Sequence, residues 1–194
     1  MSDPLGMFAE LDAAMLDGLH PAARALATTS DPTTATLAAL VGEPIEVQVA
    51  DQDETGLPWP LFELDATVQN EPVLLQTAWL RGARTGRLWQ RAASVVLSGR
   101  VDPAVVTQLR PRTQTPVQVL AAVYSDAEQH RQQLRWLCGP AGPKGKLFGL
   151  DLNAALATRT YRVLLGTRPV ALIAETFPAD DWPDVASPTG SAAE

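Results

Sequence analysis

Glu175 is the residue in this chain best placed for acid–base chemistry, because it stands among apolar neighbours in the segment Tyr161-Arg-Val-Leu-Leu-Gly-Thr-Arg-Pro-Val-Ala-Leu-Ile-Ala-Glu-Thr-Phe177. Gly166-Thr167-Arg168-Pro169 has the residue types of a tight turn, so the segment predicts a β-hairpin with residues 170–177 as its returning arm. Side chains alternate faces along a strand, which places Glu175 beside Ala171, Ile173 and Phe177 on an apolar face. A carboxylate there is either paired, with Arg162 on the other arm as the candidate partner, or has its pKa raised by desolvation. A raised carboxyl in a closed pocket is what general acid catalysis requires.

Other chemistries find little support. The single Cys138 excludes an internal disulfide and a cysteine metal site, and His20 and His130 are too few and too far apart for a zinc set. No Ser-His-Asp arrangement, P-loop or Gly-x-Gly-x-x-Gly is present. The expectation is a protein without cofactor or metal. A net charge of −7 argues against a nucleic-acid or anionic-membrane partner, since phosphate binding needs a basic field. No apolar run approaches the ~20 residues of a membrane span, and Met1-Ser-Asp-Pro-Leu lacks the basic and apolar regions of a secretory signal. A cytoplasmic protein is expected, monomeric or homodimeric, with a small molecule as its partner. Lys144 and Lys146 lie in a glycine- and proline-rich stretch that reads as a solvated loop or lid over residues 139–145.

The elements that must position Glu175 can be read from periodicity and caps. At 194 residues, 46% of them hydrophobic, the chain suits one domain with a sizeable core. Apolar residues at Leu5, Phe8, Leu11, Met15 and Leu19 predict an amphipathic helix over 4–19. Ser30-Asp31-Pro32 starts a short helix that ends before Gly42, and Asp102-Pro103 and Thr115-Pro116 start two more, through Leu109 and Val123. Ile45, Val47 and Val49 alternate with polar residues as a strand, and residues 51–60 read as a surface loop. Residues 73–80 and 88–97 predict two more strands joined by the solvated loop 81–87, and residues 129–139 a further one. Residues 179–194 have the composition of a disordered tail, leaving 1–178 as the domain. Helices followed by hairpins imply an α+β domain, an antiparallel sheet with helices on one side.

Several of these pieces together resemble the chorismate lyase family: Leu88-Trp89 with its strand, Val101-Asp-Pro-Ala-Val-Val-Thr-Gln-Leu109, Thr115-Pro-Val117, Tyr161-Arg-Val, Gly166-Thr-Arg-Pro-Val170 and Glu175-Thr-Phe-Pro178. The motifs are short, and their order and spacing from about Thr34 to Pro178 carry the likeness. The resemblance implies an antiparallel sheet of about six strands with helices packed on it and an internal ligand cavity. It also implies cofactor-free cleavage of chorismate to 4-hydroxybenzoate and pyruvate, with Glu175 at the position of the catalytic glutamate. The family's catalytic arginine is replaced by Gln76, and a second family arginine by Ala93. Val117 stands for the usual leucine and Gln118 for the usual glycine. Arg91, two residues before Ala93 and on the same strand face, is the candidate replacement cation. The site implied by the resemblance is therefore Glu175 and Gln76 as catalytic residues, with Arg91, Val117, Gln118, Thr33 and Ile173 binding substrate.

Chorismate carries two carboxylates, and burying one without a cation costs several kcal/mol. Gln76 donates hydrogen bonds but neutralises no charge. The leading expectation is thus a lyase- or cyclase-type enzyme of bacterial secondary metabolism, repurposed for an elimination, rearrangement or cyclisation on a mostly apolar substrate. Chorismate pyruvate-lyase is the alternative, and a ligand-sensing effector-type domain the third, since residues 1–40 are too short and acidic to supply a helix-turn-helix.

Overall fold

Strand-forming alternation from Ile45 onward builds one sheet, and apolar stripes on short helices cover one face of it. A computed structural model describes residues 9–10, 16–29, 33–56, 62–64, 71–125 and 128–183. In chain order these form β1 (Ala9–Glu10), α1 (Pro21–Thr28), α2 (Thr33–Val41), β2 (Ile45–Gly56), β3 (Pro72–Gly82), β4 (Leu88–Leu97), α3 (Pro103–Leu109), α4 (Pro116–Val123), β5 (Gln129–Pro140), α5 (Gly145–Phe148), β6 (Ala155–Leu165) and β7 (Arg168–Pro178). The sheet runs β1-β5-β6-β7-β4-β3-β2, every neighbouring pair antiparallel. Six long strands carry it, and β1 adds two residues at one edge. This is the α+β, chorismate lyase-like architecture expected from the sequence.

One face of the sheet meets α1 and α2 through Leu26, Leu37, Leu80 and Phe177, and α3 and α4 through Leu74, Leu109, Leu120 and Ile173. Full burial of each such leucine contributes about 1.5–3 kcal/mol relative to exposure. The other face is covered at one end by Leu64 against Val73 and Leu97, and at the other by Phe148 of α5 against Leu88 and Leu156. The caps read from the sequence hold α3 and α4. Asp102 accepts from the Ala104 amide at 2.8 Å, and Thr115 and Gln118 form a reciprocal capping box.

Several expectations are corrected. Most of the helix expected over 4–19 lies outside the described residues, but Ala9 and Glu10 within it are extended and pair with Cys138 and Leu137. Helix α1 was not anticipated. It starts at His20-Pro21, where the imidazole Nδ1 accepts from the Ala22 amide at 3.2 Å. Strand β2 continues to Gly56, through half of the stretch expected as loop, because a bulge between Val49 and Asp51 lets its polar residues go on pairing with β3. Acidic side chains suit an edge strand, so composition there imitates a loop. The stretch 139–145, expected as a loop or lid, is anchored: Gly139 and Pro140 end β5, and Ala141, with Phe148 of α5, packs against Leu88 and Leu156.

Residues 179–183, expected as the start of a tail, pack on the sheet instead. Ala179 and Trp182 are buried, and the Trp182 indole stacks on Trp89 with centroids 5.4 Å apart and planes 16° from parallel. Trp182 Nε1 donates to the Pro178 carbonyl at 2.9 Å, and Arg87 pairs with Asp181 at 2.7 Å. Residues 184–194 lie outside the described residues. Trp182→Ala should therefore destabilise the fold by about 3–5 kcal/mol, measured as a lower urea midpoint, whereas a tail that merely trails from the sheet would leave the midpoint unchanged.

Candidate functional site

The faces of β4 and β7 decide which side chains can meet a ligand. Burial alternates along β4: Gln90, Ala92 and Ser94 are buried under the helices, while Arg91, Ala93 and Val95 are half-buried on the other face. On β7, Ala171, Ile173, Glu175 and Phe177 face the helices, as the alternation predicts. Between this face and the N-termini of α2 and α4 lies a narrow cavity of about 10 Å³, room for one water molecule. Its walls are Thr33, Thr34, Leu80, Gln90, Ala92, Ser94, Thr115, Pro116, Val117, Ile173 and Glu175.

Glu175 is 2% exposed and fully engaged. Oε2 accepts from Arg159 Nε in a short charge-assisted bond, and Oε1 accepts from the hydroxyls of Thr33 and Tyr161, both at 3.1 Å. Arg159 stands directly opposite Glu175 on β6. Its Nη1 donates to the carbonyls of Leu26 at 2.7 Å and Thr29 at 3.0 Å, so the ion pair is tied to the end of α1. Arg162, the partner considered from the sequence, faces the opposite way and bonds Gln132 Oε1 and the Glu63 carbonyl. Burial, with Glu175 beside it, pushes the Tyr161 phenol well above its usual value.

The residues singled out in the sequence divide accordingly. Thr33, Val117, Ile173 and Glu175 line the cavity together. Gln118 lies just behind it, locked in the capping box, with Nε2 at 3.5 Å from the Thr34 hydroxyl. Gln76 is buried beside Ser94 but outside the cavity wall, and its amide donates to Gln52 Oε1 at 2.9 Å and the Gln114 carbonyl at 3.1 Å. Arg91 is on the far face of β4 and cannot replace a missing cation. Sequence reasoning missed Arg159, Tyr161, Gln90 and Ser94.

A bulge hid Arg159. From the turn outward Leu165 pairs with Arg168 and Leu164 with Pro169, and a regular ladder would set Thr158 opposite Glu175. Val170 is inserted without a partner, so Val163 meets Ala171 and Arg159 arrives opposite Glu175. The available signal was the alternation Ala157, Arg159, Tyr161, Val163, which puts an arginine on a buried face.

Among the described residues, no uncompensated cation lines the cavity. Its one carboxylate is neutralised by Arg159, while Gln90 Oε1 is buried without a hydrogen-bond donor. Gln90 Nε2 points at the Thr33 hydroxyl at 3.4 Å. Among the described residues, no group of three or more His, Cys, Asp or Glu could hold a metal ion, and no helix is long and apolar enough to cross a membrane.

The fold is shared with ligand-binding domains of bacterial transcription regulators. The C-terminal domain of the histidine utilization repressor of Pseudomonas syringae pv. tomato is similar over 69% of this chain and 91% of its own, with 18% identity and a TM-score of 0.54. The ligand-binding domain of a candidate GntR-family regulator from Bordetella bronchiseptica matches 72% of this chain and 88% of its own, with 11% identity and a TM-score of 0.56. The effector domain of PhnF from Mycobacterium smegmatis matches 80% and 94%, with 9% identity and a TM-score of 0.59. No family model matches the chain, and no curated protein matches it. These structures fit a chorismate lyase-like fold without singling out chorismate lyase. They run against the expectation of a lyase- or cyclase-type enzyme: the proteins that share the fold are domains of regulators, described as C-terminal, ligand-binding and effector domains.

Two outcomes follow from the ion pair. Glu175→Leu leaves a buried guanidinium unpaired and should cost about 3–5 kcal/mol in urea denaturation. Combining it with Arg159→Met removes both charges and should recover most of that loss, and an equal loss in single and double variants would contradict the pairing. Tyr161 holds its proton more tightly folded than unfolded. The stability it contributes is therefore complete below its unfolded pKa of 10.0 and lost as pH rises above it. Tyr161→Phe should flatten that alkaline loss, measured as thermal midpoint against pH.

Proposed function

We propose that this chain is a ligand-sensing module that binds a small, uncharged, largely apolar molecule in the cavity beneath α2 and α4 and does not transform it. The observation that carries the reading is the pairing of polar groups in that cavity. Glu175, the obvious acid, already accepts three hydrogen bonds. Gln90 offers, in the cavity wall, a buried acceptor that lacks a donor, and leaving such a group unpaired costs about 1–3 kcal/mol. A ligand hydroxyl or carboxamide supplies that donor.

The neighbouring walls support the same class. Leu80, Ala92, Val117 and Ile173 accept apolar surface, and the N-termini of α2 and α4 accommodate a carbonyl or hydroxyl oxygen through their partial positive charge. A dicarboxylate would enter without a cation to meet it. Gln76 in this reading braces β2 against the stretch before α4 rather than touching the ligand. The cavity has room for about one water, so a ligand enters by parting the helix N-termini from the sheet, which gives a sensor something to move. The likeness to regulator effector domains supports the reading at the level of the fold.

Isothermal titration calorimetry with the neutral probe 4-hydroxybenzamide and its anionic counterpart 4-hydroxybenzoate tests the proposal. The amide should bind at least about tenfold more tightly, and Gln90→Leu should weaken it by about tenfold, equivalent to about 1.4 kcal/mol. Both probes should be recovered unchanged, and chorismate should release no pyruvate. Tighter binding of the carboxylate at a Gln90-dependent site, or pyruvate release, would overturn it.

A further inference from the structure

Arg159 presents an unused donor on a surface the cavity does not share. Its guanidinium is 2% exposed and buried among Glu175 and the carbonyls of Leu26 and Thr29, yet Nη2 has no hydrogen-bond partner. An unpaired N–H on a buried charged group is costly, and native structures rarely leave one without a reason. Arg159 forms part of an open groove between the end of α1 and strands β5 and β6, lined also by Thr28, Thr29, Arg131, Gln133 and Tyr161. No residue of this groove lines the cavity at Glu175.

Two guanidinium groups border the groove, one of them paired with Glu175. They bracket one ring: Arg159 lies 5.1 Å and Arg131 5.5 Å from the centre of Tyr161. Among the described residues, no carboxylate lines the groove. Gln133 is held in place by its own bonds to the carbonyls of Arg135 and Thr160, at 2.8 and 2.9 Å, so the wall on that side is set before a ligand arrives. An oxyanion accepts charge-assisted hydrogen bonds from guanidinium N–H groups with favourable planar geometry.

We propose that this groove is a second ligand site, selective for a small oxyanion, a carboxylate or a phosphate, with Arg159 Nη2 as its deepest donor. The site is separate from the neutral-ligand cavity and stands or falls independently of it. Its position on the reverse of the Arg159–Glu175 pair means that an anion there shares a guanidinium with the residue that closes the cavity wall.

The full chain, labelled with ¹⁵N, is titrated with inorganic phosphate, acetate and neutral acetamide at constant ionic strength, following backbone amide shifts. Saturable shifts at Thr28, Thr29, Arg131 and Arg159 with phosphate, acetate or both support the site and say which oxyanion it takes. Acetamide should produce none. Thr28→Glu puts a carboxylate into the groove from an exposed helix end, and should weaken oxyanion binding at least about tenfold, while Thr28→Gln retains it. Absence of saturable shifts, an equal response to acetamide, or unchanged binding in Thr28→Glu would overturn the proposal.

Discussion

The buried ion pair between Glu175 and Arg159 is the constraint around which the helix-covered face of the sheet is organised. Removing two such ions from water costs several kcal/mol each, so the pair persists only where most of its remaining donors and acceptors are met. Tyr161 from β6 and Thr33 from α2 meet the carboxylate, while the carbonyls of Leu26 and Thr29 at the end of α1 meet the guanidinium. One pair thereby joins two adjacent strands to two helices. Both helices are short, and segments of eight or nine residues have little stability of their own. Apolar packing of Leu26 and Leu37 supplies their affinity for the sheet, and the polar cluster fixes where they sit.

The same pair sets the electrostatics of the cavity. A glutamate neutralised across the sheet offers a ligand a hydrogen-bonded wall, and the arginine that neutralises it is turned away toward α1 and the groove beyond. With Gln76 engaged by Gln52 and Gln114, and Arg91 on the opposite sheet face, no side chain among the described residues of the cavity is left to compensate a ligand carboxylate. Gln90 then becomes the distinctive polar group, an acceptor waiting beneath two helix N-termini. The cavity thus fits a molecule whose polarity is local and whose charge is zero.

Much of this arrangement was legible in the sequence where local rules dominate. Asp102-Pro103 and Thr115-Pro116 marked helix starts correctly because caps and proline act within one turn, and the alternation around Glu175 placed it on the buried face. The rest depended on events that local rules do not register. A single inserted residue, Val170, moved Arg159 rather than Thr158 opposite Glu175. The edge position of β2 gave its last residues the acidic composition of a loop while its backbone stayed in the ladder. Arg91 was placed on the same face as Ala93 correctly, but that face points away from the helices, so a cation matched by motif spacing turned out to be remote. Helix α1 was passed over because Pro21-Ala-Ala-Arg-Ala-Leu-Ala-Thr28 is small and alanine-rich, with only Leu26 to mark a stripe.

Native mass spectrometry of the chain after incubation with the small-molecule fraction of a bacterial extract, followed by release and identification of whatever is retained, tests the central claim directly. A ligand-sensing cavity of this polarity should retain an uncharged molecule bearing a hydroxyl or carboxamide, recovered unaltered and lost in Gln90→Leu. Retention of a carboxylate ligand through Gln90, or recovery of a chemically converted product, would contradict it.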